Sequence, residues 1–286
     1  MPTAEALFEA AAARLRAGDP AEARALFARA AAAGSRPGAV IYTNFVAAGV
    51  GGPADWPRAM ALLRELARSG RRSARELGLI EAMTLKADGS PASLPPARPI
   101  SEQPCIARFD ALFTGEECRY LAEAAAPMLR PAVVVDPATG RQRPDPERVS
   151  DGAGFTAPLE NPAVHALNRR IAAASGTAAE QGEPLQVLRY RPGGEYRTHL
   201  DAIPGFANQR TMTLLVWLNS GYEGGETRFD APDLTLKGAV GDAILFRNIG
   251  ADGRPDPASA HCGRPVQTGE KLIASRWIRE RRFEGA

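Results

Sequence analysis

Apolar positions over the first 86 residues recur every three to four places, the period of helices with one buried stripe. Gly18-Asp19-Pro20 and Gly51-Gly52-Pro53 interrupt that pattern, and further helices close on Gly34 and Gly70, where a left-handed C-terminal glycine is expected. The stretch from Glu22 to Gly34 aligns with Arg58 to Gly70 at a shift of 36 residues, a period found in helix-pair repeats. Between residues 87 and 104 the pattern stops, and Pro91, Pro95, Pro96 and Pro99 predict a linker. A second region, 105–286, opens with a helix capped by Thr114, with Glu117 completing a capping box, and running to about Ala126. The β-branched run Ala132–Val135 predicts a short strand. A polar, proline-broken excursion from Asp136 to Gly154 follows, of the kind that covers a site. Val164, Leu167 and Ile171 then mark a helix over Asn161–Ser175.

After Pro184 the period changes from 3.6 to 2. Strand-like runs follow at Leu185–Tyr190, Tyr196–Asp201, Thr211–Asn219, Glu226–Phe229, Leu234–Lys237, Asp242–Phe246, Ser259–Gly263 and Lys271–Arg279, separated by glycine-rich turns. Short strands with turns this dense predict a barrel or a double-sheet jelly roll. The fold class is therefore α+β, a jelly-roll domain with flanking helices preceded by an all-α repeat region.

Composition narrows the class. The 286 residues are 44% hydrophobic and 24% charged, with no apolar run long enough to span a bilayer, so no membrane role is expected. Acidic and basic residues break up the N-terminal stretch, which does not read as a secretory signal. Three cysteines, Cys105, Cys118 and Cys262, are too few for a disulfide framework and fit a reducing, cytoplasmic setting. A formal charge of +2 gives no nucleic-acid footprint. The terminal cluster Arg276, Arg279, Arg281 and Arg282 is expected to solvate the last strand.

Of three histidines, two fall into one constellation. His199 and Asp201, two apart on a predicted strand, project from one face, and His261 follows far enough on for intervening strands to bring it across them. Two imidazoles and one carboxylate with open coordination positions suit a non-haem Fe(II) oxygenase. The third histidine, His165, is expected at the surface of its helix and is assigned no ligand role. Lysine occurs only at Lys86, Lys237 and Lys271. Lys271 shares a predicted strand face with Ile273, Ser275 and Trp277, and a buried lysine there needs an anionic partner.

Residues 105–286 resemble the 2-oxoglutarate- and Fe(II)-dependent prolyl 4-hydroxylase family, whose core is a double-stranded β-helix. The motifs are Leu185 through His199-Leu200-Asp201, then Tyr222-Glu223-Gly224-Gly225-Glu226-Thr227, Gly241-Asp242-Ala243, and His261 through Lys271 to Trp277. The resemblance implies that His199, Asp201 and His261 hold iron and that Lys271 binds the far carboxylate of 2-oxoglutarate, helped by Thr213 and Tyr190. Trp217, on the same strand face as Thr213 and Leu215, would wall that pocket. The substrate side would use Glu183, Tyr196 and Trp277, with Arg148 and Ser150 from the excursion. Fe(II), 2-oxoglutarate, O2 and ascorbate are the implied cofactors, and hydroxylation of a peptidyl proline the implied reaction. Val149 replaces the family's usual threonine between Arg148 and Ser150, and the loop after Asp201 is short, so a free amino acid or small metabolite is the second substrate class.

The segment Asn44–Gly70 resembles the Sel1-like branch of the tetratricopeptide repeats, which implies a protein partner at the helical region. That region carries no histidine or cysteine, so a chain beginning near Gln103 is expected to keep the chemistry. Two other classes fit parts of the pattern. A zinc hydrolase would use the His-His-Asp set but leaves Lys271 without a role. A non-catalytic binding module would keep an idle iron site.

Overall fold

The computed structural model describes residues 2–135 and 142–284, so the first residues of the Asp136–Gly154 excursion lie outside what is described here. Its helices are α1 (Ala4–Arg16), α2 (Pro20–Ala32), α3 (Arg36–Ala48), α4 (Trp56–Ala67), α5 (Arg71–Glu81), α6 (Gly115–Ala125) and α7 (Pro162–Ser175). The strands are β1 (Arg98–Glu102), β2 (Cys105–Phe109), β3 (Arg130–Pro131), β4 (Val133–Val135), β5 (Gln142–Pro144), β6 (Asp151–Gly154), β7 (Gln186–Tyr190) and β8 (Tyr196–His199). They continue as β9 (Arg210–Trp217), β10 (Glu223–Gly224), β11 (Thr227–Phe229), β12 (Leu234–Leu236), β13 (Ala243–Arg247), β14 (His261–Gly263), β15 (Val266–Thr268) and β16 (Lys271–Arg279). No described helix is long and apolar enough to cross a membrane.

The chain divides into two compact units, and the first is discontinuous in sequence. It comprises the chain up to Ser93 together with Phe155–Ala173. Helix caps explain its helices: Thr3, Asp19, Ser35 and Asp55 each accept a backbone N–H of the first turn, and prolines open α2, α3 and α4. Helices α2 and α4 occupy the two stretches that align in the sequence. A ladder of edge-to-face rings, Phe8 on Phe27 and Phe27 on Phe45, each at 5.6 Å, forms the centre of the first three helices. Most of α7 belongs to this unit and not to the second, strand-rich unit in which chain order places it. Asn44 Nδ2 donates to the carbonyl of Pro158 at 2.8 Å, Trp56 lies 6.4 Å from His165, and Glu76 accepts the backbone N–H of Ala163. His165 is buried, not at the surface as its helix position suggests, because Glu160 satisfies its Nδ1 at 2.7 Å and Trp56 covers the ring.

The second unit runs through Leu94–Gly154 and Ala174–Phe283. The eight strand-like runs after Pro184 all contain strands, and they arrange as a double-stranded β-helix. The larger sheet has the order β1-β2-β13-β9-β16-β7-β6-β3, and the smaller has β12-β11-β14-β8. Strand β1 forms inside the proline-rich stretch 87–104, pairing with β2. Inward residues of both sheets meet in one core: Leu188, Leu215, Trp217, Phe246 and Ile273 from the larger, Phe229 from the smaller. Phe229 and Phe246 pack edge to face at 5.1 Å. Each such side chain contributes on the order of 1.5–3 kcal/mol by leaving water. Helix α6 carries the predicted capping box, Thr114 accepting from the N–H of Glu117 and Glu117 from that of Thr114.

Candidate active site

Cross-strand register assembles the site. In the pairing of β14 with β8, His261 stands directly opposite His199, and their rings are 4.4 Å apart. Strand β8 ends at His199, so Asp201 does not share a strand face with it, contrary to the alternation argument. The turn after β8 brings the Asp201 carboxylate back toward the rings instead, and its hydrogen bond with Thr213 fixes it there. Asp201 Oδ1 lies 3.5 Å from His199 Nε2, and Oδ2 lies 3.8 Å from His261 Nε2. One ligand atom from each of the three residues falls within 4.8 Å of the others.

The donor set fits a divalent metal. His199 Nδ1 donates to the carbonyl of Arg197 at 2.8 Å and His261 Nδ1 to that of Ser259 at 3.0 Å. Both rings therefore carry the proton on Nδ1 and aim the Nε2 lone pair at the cluster, the orientation metal-bound imidazoles require. Burial, more than offsetting the attraction of Asp201, lowers the His261 pKa to about 4, which keeps the ring neutral. Burial alone would raise the Asp201 pKa, but the adjoining His199 and His261 rings and the hydrogen bond from the Thr213 hydroxyl hold it below the usual carboxylate range. Three protein ligands of this kind leave coordination positions open, as catalytic non-haem iron sites do.

The cluster opens into a cavity lined by Leu188, Tyr190, Leu215, Thr227, Ile273 and, at its inner end, Lys271. Lys271 is 3% exposed, and its Nζ donates to the carbonyl of Gly225 at 2.7 Å. Gly225 has φ 67°, which favours glycine, and a Cβ there would crowd Lys271 Cδ at 3.2 Å. Burial lowers the lysine pKa to about 8. Tyr190, whose ring lies 5.3 Å from Nζ, is buried and its phenol is pushed up, which keeps a neutral O–H beside the ammonium. A cation and a phenol donor in an apolar pocket recognise a carboxylate.

At the other end Tyr196 stacks on His199 with ring centroids 3.6 Å apart, and Trp277 completes the wall. Residues 147–149 pair along the edge of β8: Val149 N donates to Glu195 O and Arg197 N to Glu147 O, both at 2.8 Å. This places the Arg148 guanidinium 5.4 Å from the centre of the Tyr196 ring, with Val149 exposed.

Four expected placements differ. Thr213 does not line the cavity, because its hydroxyl donates to Asp201 at 2.6 Å. Trp217 is wholly buried in the core between the sheets and walls no pocket; Leu215 takes the lining position. Glu183 also lies off the cavity, clamped by Arg210 and Arg279, each with a contact of 2.6 Å to Oε1. Arg210 in turn stacks on Trp277 at 3.7 Å. The terminal arginines do not simply solvate β16: Arg279 is held by Glu183, and Arg276, 4% exposed, donates to the carbonyls of Glu183 and Ala179. Thr227, Cys262 and Ser275 also line the cavity although nothing in the sequence assigns them a role: Thr227 closes the Tyr222–Thr227 motif, Cys262 follows His261, and Ser275 shares the predicted face of Lys271.

Residues 185–279 match the 2OG-Fe(II) oxygenase superfamily model. Prolyl 4-hydroxylase 1 of Arabidopsis thaliana is 37% identical over 201 residues, covering 64% of this chain and 71% of that protein. Prolyl 4-hydroxylase subunit alpha-1 of Bos taurus is 30% identical over 190 residues, 63% of this chain and 35% of the relative. Among solved structures, a viral collagen prolyl hydroxylase from Paramecium Bursaria Chlorella virus-1, in complex with 2OG, aligns with a TM-score of 0.50 and 27% identity over 61% of this chain and 95% of the other. Sequence similarity, the jelly-roll fold and the His-Asp-His cluster agree: this chain belongs to the 2OG-Fe(II) oxygenase superfamily and, within it, to the prolyl 4-hydroxylase family of Fe(II)-, 2-oxoglutarate- and O2-dependent dioxygenases.

Proposed function

We propose that the chain hydroxylates a prolyl residue within a peptide or protein, with His199, Asp201 and His261 holding Fe(II). The carrying observation is that this ligand set and a buried, anion-seeking lysine share one cavity. Lys271 and Tyr190 receive the far carboxylate of 2-oxoglutarate. When bound, Fe(II) and 2-oxoglutarate supply O2 activation coupled to decarboxylation, giving succinate and CO2 and placing one oxygen atom in an unactivated C–H bond; ascorbate keeps the metal reduced. The chain's own residues do the rest. Leu188, Leu215 and Ile273 exclude water around the co-substrate, and Tyr190 stays protonated to donate beside Lys271.

Tyr196, Trp277, Arg148 and Ser150 form the substrate side, and an aromatic-lined groove suits the extended conformation of proline-rich chains. Glu183 acts through the arginine stacked on Trp277. The helical unit is read as a protein-binding surface, and the cytoplasm as the setting, in keeping with free cysteines at Cys105, Cys118 and Cys262. The protein, Fe(II), 2-oxoglutarate and ascorbate should be incubated with proline-containing peptides and separately with free amino acids. Gain of one oxygen atom by a peptide, matched by succinate, is expected. Turnover confined to free amino acids would reject the peptidyl reading. A His199→Ala variant binding Fe(II) like the parent would reject the metal site.

A further inference from the structure

Behind the Asp201 carboxylate lies a polar chain sealed in the core. Thr213 Oγ1 donates to Asp201 Oδ2 at 2.6 Å, and Asn248 Nδ2 donates to Thr213 Oγ1 at 2.9 Å. Both Thr213 and Asn248 are 0% exposed. The donor directions are forced. An ionised carboxylate only accepts, so the single hydroxyl proton of Thr213 goes to Asp201, and the oxygen is left to accept from the amide; the amide must therefore turn its nitrogen to Thr213. This leaves Asn248 Oδ1 buried with no donor among the described residues, an arrangement that costs stability and that an apolar side chain would avoid. Asn248 itself is rigid: its backbone N–H donates to Thr211 O at 2.9 Å, and its carbonyl accepts from Asp256 N at 2.9 Å. Backbone ties thus anchor the amide, the amide orients the hydroxyl, and the hydroxyl holds Oδ2 of the carboxylate.

We infer that Thr213 and Asn248 are positioning residues for the metal-binding carboxylate: they pin Asp201 Oδ2 and fix the rotamer that turns the carboxylate to the two imidazoles. Neither residue lines the cavity, so neither meets 2-oxoglutarate or substrate. The inference rests on the metal site proposed above. Outer hydrogen-bond partners of metal ligands typically contribute about 10- to 100-fold in metal affinity. The Thr213→Val variant keeps the shape and loses the donor, so it should bind metal more weakly by that factor. Thr213→Ser restores the hydroxyl and should bind like the parent. Asn248→Ala, which leaves the carboxylate's own partner in place, should show a smaller loss in the same direction.

The test is anaerobic titration of the full-length protein with Co(II), read by its visible d–d bands, with apo-protein melting curves recorded for each variant. His199→Ala serves as the control for the site itself. Weakened binding in Thr213→Val, rescued in Thr213→Ser, with altered bands supports the inference. Parent-like affinity in Thr213→Val and Asn248→Ala overturns it, provided His199→Ala is weak; if His199→Ala also binds normally, the metal site is what fails, and the inference with it. Should Thr213→Val not fold, Asn248→Ala decides: reduced affinity supports the relay, and parent-like affinity overturns it.

Discussion

Replacing Lys271 with methionine should keep or raise stability at neutral pH and remove co-substrate binding in one step. The ammonium sits in an apolar wall of Leu188, Leu215 and Ile273, and its one direct protein acceptor described is the carbonyl of Gly225 at 2.7 Å. Burial, with Lys237 adding repulsion and Glu226 opposing it, lowers the pKa from the ordinary 10.5 to about 8. The folded state therefore binds this proton less tightly than the unfolded state. The penalty, roughly 3 kcal/mol, is fully present below pH 8 and disappears as pH rises to the unfolded value near 10.5. Methionine keeps the volume and removes the charge, but strands the Gly225 carbonyl at about 1–3 kcal/mol. At pH 7 the apo variant should thus match the parent or exceed it by up to about 2 kcal/mol, and near pH 10.5 it should be the weaker by about 1–3 kcal/mol.

Urea unfolding of both apo proteins across that range measures the crossing. With Fe(II) under anaerobic conditions, 2-oxoglutarate at about a hundred times its dissociation constant should stabilise the parent by roughly 2.7 kcal/mol and leave the variant unmoved. A variant less stable at pH 7 than at pH 10.5, relative to the parent, would refute the burial argument. Equal stabilisation by 2-oxoglutarate would place the carboxylate pocket elsewhere.

Other changes test the surroundings. Glu183→Gln removes the anion from buried Arg279 and half-buried Arg210 and should cost roughly 3–5 kcal/mol in urea unfolding, with raised KM for peptide as Arg210 shifts from under Trp277; a cost below about 1 kcal/mol contradicts the clamp. Burial raises the Glu76 pKa from 4.5 to about 7, so its stabilising neutral form is lost as pH climbs through that interval. Glu76→Gln should therefore gain on the parent by roughly 3 kcal/mol between about pH 4 and pH 8, and a pH-independent difference would contradict this. Removing residues before Gln103, which the sequence suggests is harmless, takes Asn44, Trp56 and Glu76 away from the α7 segment; such a chain should be insoluble, and a monodisperse, folded product by sedimentation would show α7 to be self-sufficient.

The sequence by itself determined the elements and the chemistry. Local periodicity marks eight of the ten strands described after Pro184, because alternation of one wet and one dry face leaves a period-two trace; the short β10 and β15 fall outside those runs, and cap residues such as Thr114 write helix starts into adjacent positions. The His199, Asp201 and His261 set and Lys271 were legible because histidine and lysine are rare here and carry specific chemistry. Tertiary structure decided what each polar side chain faces. Thr213, Leu215 and Trp217 alternate identically in sequence, yet one holds a carboxylate, one lines the cavity and one fills the core, since partners from β13 and the turn after β8 set their surroundings. Glu183 reads as a substrate-side residue and the terminal arginines as solvated charges until strand packing brings them together, and the transfer of most of α7 to the helical unit depends on contacts distant in the chain. Burial is a property of what packs against a residue, and periodicity records only which face turns inward, not what waits there.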